Sequence, residues 1–141
     1  MHGHRFFDHT ADLGIVFWGN QPGELLSAGA LALFEATFGP ACTLTTPGLS
    51  FSWSREDQEP DWVVFDWLKH WLATFHCEAQ VLLPREVKPV GKGQPWNLEV
   101  TGLSFECSGL IPLREIKAIT LHQFRVWHEE PYWKAEVIVD I

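Results

Sequence analysis

The chain has 141 residues and a formal net charge of −8, from 10 Lys+Arg against 18 Asp+Glu. With 46% hydrophobic and 20% charged residues it reads as one globular domain over residues 1–141, able to bury a core without crosslinks. No cluster of Lys and Arg is present to track a phosphate backbone, so direct nucleic-acid binding is not expected, and no window holds the ~18 apolar residues of a membrane span.

Residues 5–8 and 13–18 read as two short strands around the polar corner His9-Thr10-Ala11-Asp12. Asn20 or Gln21 is placed to cap a helix over 22–38, with Pro22 in its first turn and Gly39-Pro40 ending it. Leu25, Leu26, Gly29, Leu33 and Ala36 lie along its apolar side, widened by Ala30, Leu31 and Phe34. The Gly and Ala content suits close packing on a sheet. Residues 49–54 alternate as a half-buried strand, and 55–60 form a polar turn. A second helix spans about 60–77, with Asp61 where the dipole favours it and an apolar, Trp-rich surface nearly all round. It is expected to be central or to meet a partner.

Strands over 79–87 and 96–107 flank the Gly/Pro hairpin loop 88–95, and 109–115 is irregular. Residues 119–127 alternate, the turn 128–131 follows, and a last strand runs over 132–141. The order ββαβαββββ is an α+β layer: two helices on one face of a mostly antiparallel sheet, in a single domain.

The cysteines are Cys42, Cys77 and Cys107, with no CxxC pair; reduced, mostly buried thiols in a cytoplasmic protein are expected. The segment 1–7 lacks the apolar stretch and cleavage site of a secretory signal.

Two carboxylate groups carry the most chemistry. Ile141 follows Asp140 within the last strand, so a terminal carboxylate is expected beside that of Asp140. Anions held that close repel unless a cation or donor neutralises them. In the opening corner, Thr10 and Asp12 have an ordinary turn reading. If the first and last strands are neighbours, Asp12, Asp140 and Ile141 converge instead, and hard oxygen donors suit Ca²⁺, Mg²⁺ or Mn²⁺. Lys117 stands at a strand entrance, with a surface lysine as the plain alternative. His122 reads as a structural histidine within the 119–127 strand. His70 and His76 are not at i, i+4, which disfavours a helical zinc pair. GxSxG, Walker, GxGxxG and HExxH motifs are all missing.

The segment Phe7-Asp-His-Thr-Ala-Asp-Leu-Gly-Ile15 resembles the opening signature of the archease family, and Ile116-Lys-Ala-Ile-Thr-Leu-His122 with Trp133-Lys-Ala-Glu-Val-Ile-Val-Asp-Ile141 resembles its closing signature. The resemblance implies an accessory protein, not an enzyme, that activates an RtcB-type RNA ligase in tRNA splicing. It would promote ligase guanylylation from GTP and multiple turnover. The resemblance also implies a divalent-cation site, Ca²⁺ foremost with Mg²⁺ or Mn²⁺ as alternatives, on Asp12, Asp140 and Ile141. Lys117 is the next functional candidate, and His9 belongs to the opening motif. The Trp-rich second helix and a turn at 128–131 without glycine depart from the family pattern. A stand-alone metal-dependent phosphoester hydrolase and a plain protein-interaction module are the competing readings.

Overall fold

Helix and strand periodicities of the sequence reappear in a computed structural model, which describes residues 1–9, 11–44, 48–56, 59–91 and 95–141. Thr10 of the opening corner, Asp57 and Gln58 of the 55–60 turn, and residues 92–94 of the hairpin loop lie outside the described residues. In chain order the elements are β1 (His2–His9), β2 (Asp12–Gly19), α1 (Pro22–Phe38), β3 (Leu49–Arg55), α2 (Pro60–Glu78), β4 (Gln80–Pro89), β5 (Leu98–Glu106), β6 (Ala118–Ile119), β7 (Arg125–Glu129) and β8 (Tyr132–Asp140).

The architecture is α+β, as expected, but the strands divide into two sheets. One has the order β1-β2-β8, with β6 and β7 both pairing with β8; the other has the order β3-β5-β4. Every pairing among the described strands is antiparallel. Because side chains alternate, β2 and β8 turn Ile15, Phe17, Ala135, Val137 and Val139 inward, each no more than 1% exposed. These side chains form the core together with both helices.

Helix α1 starts at Pro22 and stops at Gly39, whose φ of +90° few other residues adopt. Neither proposed side-chain cap forms. The Asn20 N–H instead donates to Glu24 at 2.7 Å, one turn into the helix. Gly29 lies where α1 passes closest to its neighbours: a Cβ there would meet Leu68 at 3.0 Å and Phe17 at 3.1 Å. Leu31 is turned outward, 37% exposed, whereas Ala28 and Ala32 are buried. The reason is that α1 packs on both β2 and β4, strands of different sheets, so small residues are buried on a second face.

Helix α2 is central, as its all-round apolar surface implies. Trp67 and Trp71 are fully buried, and both indole N–H groups are satisfied. Trp67 donates to the Leu26 carbonyl at 2.9 Å and Trp71 to the Leu82 carbonyl at 3.0 Å. Trp53 of β3 packs on Trp67 (5.3 Å between centroids) and stacks on His70 (5.8 Å, 19°).

Two further expectations change. The strand at 119–127 is interrupted: β6 and β7 are separated by a turn in which the Phe124 N–H donates to the Leu121 carbonyl at 3.1 Å and Gln123 takes a φ of +56°. His122 is therefore an exposed turn residue, not a structural histidine within a strand. Of the cysteines only Cys107 is buried, its thiol donating to the Ala79 carbonyl; Cys77 is exposed because α2 ends there and turns its last residues outward.

Replacing Trp67 by Phe removes one buried hydrogen bond, worth about 0.5–1.5 kcal/mol, and leaves a small void, whereas Trp67→Ala opens a much larger cavity and should cost about 3–5 kcal/mol, more than the Phe variant. Urea unfolding midpoints check both, and equal midpoints for the two variants would contradict this packing. Burial holds the His70 imidazole below its ordinary range, opposed by the Glu78 charge. A histidine depressed in the folded state binds its proton more readily when unfolded, so its stabilising share is present above the unfolded value, about 6.5, and falls away as pH drops below it. His70→Phe should accordingly flatten the decline in stability between pH 7 and pH 5, read from urea midpoints at each pH.

Candidate functional site

The pairing of β2 with β8 decides what lies at the end of the larger sheet. Its register runs from Gly19↔Trp133 to Leu13↔Val139. One step further, Asp12 stands opposite Asp140. On the outer side β1 pairs His9 with Asp12, and on the far side β6 pairs Ala118 with Asp140. The row His9, Asp12, Asp140, Ala118 thus crosses four strands on one face of the sheet. Since Leu13 and Val139 face the helices, this row faces away from them.

The main chain fixes the row from the edge. Lys117 donates its N–H to the Asp140 carbonyl at 2.7 Å, and Thr120 donates its N–H and Oγ1–H to the Ile138 carbonyl at 3.2 and 2.7 Å. Buried Ile116 and Ile119, 1% and 9% exposed, bracket Lys117, whose side chain is exposed. The carbonyl of Ile116 is also within 3.0 Å of His76 Nε2.

Charge is balanced elsewhere on this face but not at its end. Glu136 lies 3.8 Å from Arg125, and Glu129 lies 3.4 Å from Lys134. Among the described residues Asp140 makes no ion pair, and Asp12 has only His9, whose Nδ1 is 3.9 Å from Asp12 Oδ2. That Nδ1 is buried and has no hydrogen-bond partner. The His9 ring also meets the His122 ring edge-on, 5.4 Å between centroids. Residues directly opposite on antiparallel strands have Cβ atoms about 4.5–5.5 Å apart, so the two carboxylates repel at close range.

The sequence-predicted residues His9, Asp12, Lys117, Asp140 and Ile141 are therefore brought to one end of one sheet. Among the described residues no three His, Cys, Asp or Glu side chains gather as a preformed metal site. His122 is the residue that sequence reasoning misplaced. Thr120-Leu-His-Gln-Phe124 contains no Gly or Pro to mark the turn. A cavity of about 720 Å³ at the start of α1 lies elsewhere, between Pro22, Gly23, Leu31, Leu83 and Val87.

Comparisons of structure and sequence place the chain among known proteins. The solution structure of protein 1598 from Methanobacterium thermoautotrophicum is similar over 99% of each chain, with a TM-score of 0.76 and 28% identity. The crystal structure of an archease, a possible chaperone, from Thermotoga maritima shares the fold, with a TM-score of 0.64, 24% identity and coverage of 96% of this chain and 94% of that one. Protein archease of Archaeoglobus fulgidus is 32% identical over 139 residues, 98% of each chain. Protein archease of Methanothermobacter thermautotrophicus is 29% identical over 142 residues, all of each. The model of the Archease protein family (MTH1598/TM1083) matches residues 4–141, and the chain belongs to that family.

Proposed function

We propose that this chain is an accessory protein, not itself an enzyme, of an RtcB-type RNA ligase of tRNA splicing. On this reading it carries a divalent cation, Ca²⁺ foremost with Mg²⁺ or Mn²⁺ as alternatives, to the ligase and promotes guanylylation and repeated turnover. The observation that carries the reading is the pair of carboxylates at the sheet end, brought opposite each other where the β2–β8 register is continued one step and joined, among the described residues, by His9 alone.

The donor set fits a hard cation. Asp12 and Asp140 supply carboxylate oxygens from adjacent strands, and Ile141 supplies a further oxygen next to Asp140. Ligating carboxylates are commonly oriented by a second group, and the buried, unpartnered Nδ1 of His9 beside Asp12 stands in that position. A bound cation there would neutralise phosphate oxygens that otherwise repel the acidic chain. Lys117, exposed and tied by its N–H to Asp140, would present its ammonium to the same phosphates. The net charge of −8 supports docking on a basic enzyme over direct RNA binding. Turnover of phosphoesters by the purified chain alone would favour the hydrolase reading instead.

Two measurements test this. Asp12→Asn and Asp140→Asn should each abolish Ca²⁺ or Mn²⁺ binding in calorimetry and reduce stimulation of ligase guanylylation by about tenfold or more, consistent with the loss of a ligand. Full stimulation by either variant would sink the reading. In chelator, Asp140→Asn should raise the stability of the free chain by about 0.2–1 kcal/mol, because it removes a like-charge cross-strand pair. Saturating Ca²⁺ should reverse the order, stabilising the native chain and not the variant, as thermal unfolding would read directly.

A further inference from the structure

Between the first turn of α2 and the β6–β7 turn the molecule exposes an apolar groove. Trp62, in the first turn of α2, is 47% exposed, and Leu121, in the β6–β7 turn, is 55% exposed. With Phe124, Glu59 and Asp61 they line a groove of about 440 Å³. Its walls are pinned. Phe65 packs between Trp62 (6.2 Å) and Phe124 (5.2 Å), and the Asp61 carboxylate accepts the Val126 N–H at 3.0 Å. The Phe124 N–H closes the turn onto the Leu121 carbonyl, holding the leucine out in water. An exposed apolar surface rimmed by polar residues is the kind of feature at which proteins meet.

Position and charge decide its occupant. The turn that carries Leu121 also carries His122, whose ring meets that of His9 at 5.4 Å between centroids, so groove and carboxylate row are tied to the same turn. Its rim carries Glu59 and Asp61 on a chain of net charge −8, which disfavours a nucleic acid and a second copy of this chain alike. An enzyme that handles RNA presents clustered Lys and Arg. We infer that the groove between the α2 N-terminus and the Leu121–Phe124 turn is where the RNA ligase docks, inserting an apolar side chain flanked by Lys or Arg. The inference rests on the ligase reading above and adds the surface by which the chain is held to the ligase.

The test measures binding of the chain to its cognate ligase at low and high salt, with guanylylation assayed on the same preparations. Leu121→Lys, at an exposed turn position, should raise the Kd about tenfold or more, as loss of an apolar anchor does. Excess variant should restore full guanylylation, and calorimetric Ca²⁺ binding by the free variant should be unchanged. Leu121→Ala should weaken binding less, and native affinity should fall as salt rises. Leu121→Lys binding as tightly as the native chain, while the native chain stimulates the ligase, would overturn the groove and leave the ligase reading standing. A native chain that neither binds nor stimulates the ligase would overturn both. A dimer in sedimentation that Leu121→Lys abolishes would assign the groove to a second copy and overturn it as a ligase surface.

Discussion

One register, β2 against β8, holds the rest of the structure in place. Slipping it by a single residue would turn Ile15, Phe17, Val137 and Val139 from the core to solvent. Burying each such side chain is worth about 1.5–3 kcal/mol, so the slip would cost about as much as a domain's whole stability. The carboxylates of Asp12 and Asp140 are thus set opposite each other by apolar packing on the other face. Their juxtaposition is not their own doing, and their repulsion is too small to undo it.

The helices translate that register into a rigid site. Helix α2 is held by satisfied tryptophans, Trp67 to the Leu26 carbonyl of α1 and Trp71 to the Leu82 carbonyl of β4. The 116–121 segment runs over α2, with Ile116 and Ile119 buried and Lys117 between them. A two-residue strand such as β6 would fray alone. Buried isoleucines on either side and three hydrogen bonds to β8 keep it in place. Lys117 and His122 therefore stand at fixed positions relative to the carboxylates, although neither lies in a long strand.

How far the sequence reveals this differs from element to element. Helix α1 can be read to the residue, because Pro22 and Gly39-Pro40 punctuate both ends. Strand β8 can be read from its alternation, but its neighbour cannot: the second strand, β2, pairs with it, and the first strand, β1, lies one place further out. The division into two sheets is not legible: alternation tells which face a strand buries, not which neighbour it chooses. The outward turn of Leu31 is hidden for the same reason, since burial of Ala28 and Ala32 depends on β4 coming to α1 from the second sheet. The interruption at Leu121–Phe124 escapes because Gln123 adopts a left-handed conformation that composition does not announce. With that turn unseen, the contact of His122 with His9 and the exposed Leu121 groove were unseen too.

On the proposed reading, electrostatics links the carboxylate row to a partner. Two like unit charges about 5 Å apart repel by roughly 0.8 kcal/mol in water, but by about 3 kcal/mol at an effective dielectric near 20. The free chain keeps the pair cheaply, because the row lies at an open sheet end with Asp140 exposed. Covering that end with another protein lowers the local dielectric and multiplies the penalty unless a cation sits between the oxygens. On the proposed reading, docking and cation binding therefore reinforce each other. Each is favoured by the other's presence, and by linkage the coupling acts equally in both directions. Excluding water from that end strengthens every charge interaction at the two carboxylates, so on this reading the cover and the cation act as one event.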